Sequence, residues 1–254
     1  MDHAEHQKNI VLEGIQFNNT AAKLMSNREY VHAVACLNQV LIGMKSLFEA
    51  HGNVVSNVLI SQDFQLGEWM TLPDTVVDGE FTSLRNETFP DADSLKHNYE
   101  SDYIYRHPIY IPEDKVLIHI NRMSIDKYSG VAALLSVIAM FNLALAHQLD
   151  GMEHSRNWEV SLRKSARLYE LANQLASVHD IECGALFLLS VANNLGHVYK
   201  TLSCPNKATK FFEHLLCTLL YLTEGCRCEG IPALSGFFRS THYLSIQDSC
   251  AGAA

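Results

Sequence analysis

Apolar residues recur every three to four positions along most of the chain, which is the spacing of one face of an α-helix. In the N-terminal part this face comprises Ile10, Val11, Ile15, Ala22 and Leu24, and it resumes at Val31, Val34, Leu37, Val40, Leu41, Met44 and Phe48. We predict a helix from Glu5 to Met25 and a second one after it, with Asn27 as the N-cap and Gly52 as the stop. Further helices are predicted at residues 129–149, 157–178, 182–201 and 205–223.

The helical period disappears between His51 and Met123, where turn signals such as Leu72-Pro73-Asp74 replace it. Residues 103–112 then alternate β-forming and polar positions, and residues 116–120 do so again. Prolines within the first run confine it to an edge strand or an extended segment. We interpret residues 53–122 as an insertion that is either a disordered loop or an ordered element packed on the helices, and its apolar content favours the second.

The last two predicted helices have the spacing of a tetratricopeptide (TPR) repeat, a helix-turn-helix unit of about 34 residues. Small residues at Gly196 and Ala208 allow two antiparallel helices to approach closely, and Tyr199 and Phe212 fill the volume beside them. Pro205 lies near the start of the second helix, where a missing N–H is tolerated. One such unit cannot bury both of its apolar faces, so the pattern predicts neighbouring units.

A shift of 175 positions reveals a second copy of this unit at residues 14–47. The shift pairs the polar and small positions Asn193, Asn194, Gly196 and Ala208 with Asn18, Asn19, Ala21 and Ala33. A weaker third copy begins at Phe141-Asn142-Leu143-Ala144, continues to His147, and has a longer turn from Leu149 to Asn157. The predicted fold class is therefore all-α: a TPR-like superhelix of antiparallel helical hairpins with an inserted extended or β-like segment.

We expect one domain spanning residues 1–254, in which residues 226–254 form a cap and tail over the last repeat. Hydrophobic residues make up 48% of the chain and charged residues 19%, a composition typical of a folded protein. The formal net charge of −9 argues against a nucleic-acid partner, because phosphate binding needs clustered Lys and Arg.

The N-terminal sequence lacks the features of a secretory signal, and the apolar run from Val131 to Ala146 is shorter than a bilayer-spanning helix. We therefore expect no membrane association. Seven cysteines without an export signal indicate reduced thiols, so the expected compartment is cytoplasmic, with a nuclear location as the alternative.

Several motifs give the chain a family resemblance. They lie at residues 17–19, 30–33, 105–112, 141–147, 193–199 and 237–240. Through them the chain resembles a family of TPR-like proteins that is abundant in diatom algae. The resemblance implies an α-helical TPR-like superhelix with an inserted extended segment, and it implies no activity because the family has no assigned chemistry.

The first helix of each TPR unit lines the groove in which peptides bind, so this helix supplies the candidate partner-binding residues. They are Asn18, Ala22, Asn193, His197 and Lys200. Asparagine and histidine side chains would bind a peptide backbone through hydrogen bonds. The alternative is that Asn18 and Asn193 satisfy backbone groups between adjacent helices.

No pattern in the sequence indicates catalysis, a metal site or a cofactor. Cys226 and Cys228 are separated by one residue, which is a poor chelate loop for zinc. No nucleophile elbow or phosphate-binding loop is present. We therefore predict a non-enzymatic interaction module that binds a protein or peptide partner. The alternative is a small-molecule sensor whose insertion closes a pocket lined by Tyr103, Tyr105 and Tyr110.

Overall fold

The computed structural model describes residues 3–50, 103–113, 116, 128–153, 157–179, 181, 184–224 and 234–251. Within these residues the chain forms seven helices. They are α1 (His3–Ser26), α2 (Tyr30–Ala50), α3 (Tyr128–Glu153), α4 (Trp158–Val178), α5 (Gly184–Thr201), α6 (Pro205–Glu224) and α7 (Leu234–Ala251). The all-α prediction is confirmed for this part of the chain, which contains no β-strand.

Helices that follow one another along the chain pack side by side, so that α1–α2, α3–α4 and α5–α6 form three hairpins. Helix α3 also contacts α1 and α2, and α7 covers the last hairpin. The residues of α3 from Val131 to Ala146 are almost all buried, because this helix is apolar on every side and other elements surround it.

Among the helices of the described residues, two are long and apolar enough to cross a membrane by length and composition alone. The stretch Gly130–Glu153 in α3 is 89% buried inside the fold, as expected for a core helix, and it is longer than the apolar run that the sequence indicated. The stretch Tyr30–Glu49 in α2 is 28% buried. Its inward side contributes Leu37, Val40 and Met44 to the core.

The turns of the first and third hairpins have the same backbone structure. Arg28 and Ser203, which are 175 positions apart, both adopt left-handed conformations with φ of 62° and 56°. The N–H of Arg28 donates to Met25 and the next N–H donates to Leu24, and the same two bonds recur around Ser203. This pattern is a Schellman C-cap, so the internal repeat seen in the sequence extends to backbone hydrogen bonds.

Gly196 allows the close approach of α5 and α6 that its position predicted. A Cβ atom added to Gly196 would lie 2.6 Å from a carbon of the Phe212 ring, which is shorter than any stable carbon–carbon contact. Ala208 is fully buried in the same interface. The physical reason for the small residues is therefore confirmed for this hairpin.

Several predicted boundaries need correction. Asn27 is not the N-cap of α2, because it lies in the Schellman turn and the residue before the helix is Glu29, whose carbonyl accepts the N–H of Ala33. Helix α3 continues past Leu149 to Glu153, through part of the expected turn. Helix α7 extends to Ala251 and is longer than the short cap we predicted.

Other predictions fall on residues that lie outside the described ranges. They concern Gly52, the insertion at residues 53–102 and 117–122, and the tail after residue 251.

Residues 103–112, called here the groove segment, run in an extended conformation across α1, α3 and α5. We call the surface formed by these three helices the groove face. The segment forms no strand, and its prolines are compatible with extended backbone. Within the predicted insertion, these residues contact the helices through hydrogen bonds.

Candidate functional site

Three asparagines on three different helices bind the backbone of the groove segment in the same way. Asn19, Asn142 and Asn194, called here the asparagine ladder, each accept an N–H and donate to the carbonyl of one segment residue. Asn19 binds Ile111 at 2.9 and 2.8 Å, Asn142 binds Ile109 at 2.7 and 2.9 Å, and Asn194 binds Tyr105 at 3.0 and 2.9 Å. Each side-chain amide thus reproduces the paired hydrogen bonds of a neighbouring β-strand.

Additional donors reach the carbonyl groups of the segment. Asn18 donates to the carbonyl of Ile109 at 3.0 Å, and Asn193 donates to the carbonyl of Tyr103 at 2.9 Å. The hydroxyl of Ser240 in α7 also donates to Tyr103, at 3.1 Å. Asn18 and Asn193 are related by the 175-position shift, so the two outer hairpins supply the same pair of polar contacts.

Buried hydrogen bonds hold the asparagine ladder in place. The amide of Asn142 donates to Asn18 at 2.9 Å, which links α3 to α1. The amide of Asn194 donates to the Tyr169 hydroxyl at 2.9 Å, and that hydroxyl donates to Gln148 at 3.0 Å. Because all these side chains are buried, each amide has one orientation that satisfies its partners.

The segment places its apolar side chains inward and leaves other side chains in solvent. Tyr105, Ile109 and Ile111 are buried, with at most 2% of each exposed. Arg106 and Tyr110 are exposed, and Tyr110 is 39% exposed. The inward positions are therefore the residues whose side chains the groove face selects, whereas the ladder contacts backbone atoms that every residue except proline carries.

Aromatic rings surround the N-terminal half of the segment. The Tyr105 ring packs against Phe141 and Phe237, and the Tyr103 ring meets Phe237 edge to face. Gly236 makes space for Tyr103, because a Cβ atom there would overlap the ring. Burial raises the pKa of the Tyr103 phenol to about 12.

The five predicted groove residues have three kinds of surroundings. Asn18 and Asn193 contact the groove segment, so each binds peptide backbone of this same chain. Ala22 is buried in α1. His197 bonds to Ser240 at 3.0 Å and the Lys200 Nζ lies 5.6 Å from the Tyr243 ring centre, so both are near α7.

The three tyrosines expected around a sensor pocket do not share one environment in the described part of the fold. Tyr103 and Tyr105 pack into the aromatic cluster, and Tyr110 points towards solvent. An open hollow of about 450 Å³ lies elsewhere, on α3 and α4. It is lined by His147, Val160, Arg163, Lys164, Arg167 and Leu168.

The described residues contain no cluster of His, Cys, Asp or Glu that could hold a metal ion. Cys36, Cys204 and Cys217 are free thiols, whereas Cys226 and Cys228 lie outside the described ranges. The hydrogen bonds and apolar contacts of the groove face are suited to binding an extended backbone.

Sequence reasoning did not assign site roles to the ladder residues Asn19, Asn142 and Asn194. Their signal was the Asn-Leu-small pattern and the doubled asparagine, which indicated the repeats but not a binding role. The occupant of the groove was also missed, because nothing in the residue pattern indicates that positions about 90 residues apart meet.

The chain matches no protein-family model, no curated protein and no solved structure. Its function is therefore argued from the geometry of the groove face.

Proposed function

We propose that the protein is a TPR-like, non-catalytic interaction module that binds an extended segment of a partner protein on its groove face. The observation that carries this proposal is the asparagine ladder: three amides at corresponding positions of successive hairpins, each paired with both polar groups of one segment residue. Binding of this kind uses groups common to all peptides.

The internal repeat supports the proposal. The same pair of asparagines occurs in α1 and α5, and it contacts backbone in both places. A buried asparagine needs several partners, and an extended backbone supplies a donor and an acceptor from one residue. We infer that the hairpins are units of a superhelix whose first helices share one ligand-binding role.

The free thiols of Cys36, Cys204 and Cys217 are compatible with a reducing compartment such as the cytoplasm. The acidic net charge favours a partner other than nucleic acid. Both properties agree with a module that displays a protein-binding surface inside the cell.

A test uses the synthetic peptide Tyr-Ile-Tyr-Arg-His-Pro-Ile-Tyr-Ile-Pro, which copies residues 103–112. The peptide is added to the full chain carrying Ile109→Ser, a change that weakens binding of the chain's own segment to the groove face. We expect a peptide methylated on the amide nitrogen of Ile109 to bind at least about tenfold more weakly than the unmodified peptide, because Asn142 loses its N–H partner.

Methylation of the Tyr110 nitrogen is the matched control, since no hydrogen bond of that nitrogen is seen in the described part of the fold. It should change the affinity by less than about threefold. Fluorescence anisotropy of a labelled peptide measures both. Failure of the unmodified peptide to bind, or equal loss with the two methyl groups, would refute backbone recognition by the ladder.

A further inference from the structure

The groove segment occupies the surface on which the proposed function places a partner, so any partner must replace it. We propose that the segment is a built-in competitor, and that the partner is an extended segment with an aromatic residue followed four and six positions later by aliphatic residues. This inference rests on the proposed function. It adds the side-chain pattern of the partner and states that the partner reaches the groove face by displacing the segment.

The pattern comes from the side chains that the groove face buries. Tyr105, Ile109 and Ile111 point inward from the three residues bound by the ladder, at relative positions 0, +4 and +6. Burial of an aliphatic side chain is favourable and burial of a charge there is not. Inward positions must therefore be apolar, while the outward position of Tyr110 accepts many residues. Arg106 also faces outward, but its guanidinium lies 3.8 Å from the Glu153 carboxylate of α3.

A further preference follows from the end of the groove face near α7. Gly236 leaves room for a ring two positions before Tyr105, and Phe237 meets that ring edge to face. The carbonyl of this residue, Tyr103, also accepts hydrogen bonds from Asn193 and Ser240. A partner with a second aromatic residue at position −2 would fill this space. Any residue larger than glycine at position 236 would close it.

Competition with the segment sets the affinity that a partner needs. The segment belongs to the same chain, and covalent attachment gives a tethered ligand an effective concentration on the order of millimolar. A free peptide of identical sequence, with a dissociation constant well below that concentration, then reaches half-saturation only near about that concentration. A partner acting at micromolar concentration must bind about a thousandfold more tightly than the copy of the segment.

The experiment titrates the labelled peptide of residues 103–112 into two full-length proteins. With the wild-type chain we expect half-saturation near about 1 mM. With Ile109→Ser in the chain, the competitor is weaker and the half-saturation point should fall at least about tenfold. Far-UV circular dichroism verifies that the variant is folded, and if it is not, the rise in its melting temperature on peptide addition is measured instead.

The side-chain pattern is tested with two peptides that differ at adjacent positions. Ile109→Ser in the peptide removes an inward side chain and should weaken binding at least about tenfold. Tyr110→Ser removes an outward side chain and should have less than about a threefold effect. Equal effects of the two would overturn the proposed pattern while leaving backbone recognition intact.

A paired change in chain and peptide tests the space at Gly236. Gly236→Ala in the full chain should weaken the unmodified peptide and the chain's own segment alike, because the new methyl group overlaps the Tyr103 ring of both. Half-saturation by the unmodified peptide should therefore change by less than about threefold. The peptide with Tyr103→Ala should bind this variant better than the unmodified peptide does. If Gly236→Ala leaves the order of the two peptides unchanged, or if the wild-type chain binds its copy at micromolar concentration, the proposal is wrong. Absence of binding to every variant would refute the proposed function as well.

Discussion

The amide of Asn142 lies 2.7 Å from the backbone nitrogen of Ile109 and 2.9 Å from its carbonyl oxygen, so one buried side chain satisfies both polar groups of a residue that belongs to another element. It also donates to Asn18. Through these bonds α1, α3 and the groove segment meet at one point.

We therefore expect Asn142→Ala to destabilise the fold. The change removes three buried hydrogen bonds and leaves the N–H of Ile109 unpaired, which should lower the free energy of unfolding by about 2–4 kcal/mol. Asn173→Ala on the exposed face of α4 is the control, with an expected change within about 0.5 kcal/mol. Urea denaturation followed by circular dichroism measures both, and similar midpoints would contradict the structural role of Asn142.

The hairpin turns provide a stabilising prediction. Ser203 has a left-handed backbone conformation, which glycine adopts without steric cost. Ser203→Gly should therefore raise the free energy of unfolding by about 0.5–1 kcal/mol. The control Ser46→Gly lies within α2 and should lower it by about 0.5 kcal/mol. A loss of stability at both positions would show that the turn does not have this conformation in solution.

The helix contact at Gly196 and the two hairpin turns show how much of the fold could be predicted from the sequence. The tight contact at Gly196 was predictable because a small residue and a ring at repeat spacing are typical of two helices in close contact. The two Schellman turns were not predicted, since their left-handed positions hold Arg28 and Ser203 instead of the usual glycine. The propensity of these residues argues against the observed conformation, and only packing of the hairpin overrides it.

The candidate site was predictable only in part, for a related reason. The asparagine repeats indicated polar positions on the first helices, and Asn18 and Asn193 do contact an extended backbone. The identity of that backbone depends on contacts between residues far apart in the chain, which local periodicity does not encode. His197 was assigned to the groove, but its surroundings depend on α7, whose length the sequence pattern underestimated.

Alkaline pH should destabilise the protein. Burial raises the pKa of the Tyr105 and Tyr169 phenols well above 10, and it raises the pKa of Tyr103 to about 12. Above pH 10 the unfolded chain loses phenol protons that the folded chain retains, so stability is full below pH 10 and falls as pH rises, by about 1.4 kcal/mol per pH unit for each such phenol.

Tyr169→Phe should reduce the loss of unfolding free energy at alkaline pH by the contribution of one phenol. It should also lower stability at pH 7, because Asn194 and Gln148 lose a hydrogen-bond partner. The exposed Tyr221→Phe is the control for removal of one tyrosine. Denaturant midpoints between about pH 8 and 11.5 provide the test. A Tyr169→Phe profile parallel to that of wild type would indicate that this phenol is not buried.

Mild acid should destabilise the fold through two histidines, His107 in the groove segment and His147 in α3. Burial lowers the pKa of His107, and burial together with Lys164 lowers the pKa of His147, against the opposing effect of Asp150. Below about pH 6.5 the unfolded chain binds protons that the folded chain excludes, so stability is present above that pH and is lost as pH falls.

His107→Gln removes one of these groups from the segment, so stability should decline less between about pH 7 and pH 5 than in wild type. His32→Gln, at an exposed position of α2, is the comparison. Thermal unfolding at half-unit pH steps would show the difference. Identical slopes for wild type and His107→Gln would contradict the burial of His107.

The bond between Asn19 and Ile111 joins residues 92 positions apart, whereas the bonds of each hairpin turn join residues close together in the chain. Local helical hairpins assemble quickly, but closure of so long a loop carries an entropy cost before any contact offsets it. We therefore expect the hairpins to form early and the extended residues to dock last. Such an order would expose the asparagines of a newly made chain to another extended polypeptide before the chain's own segment competes for them.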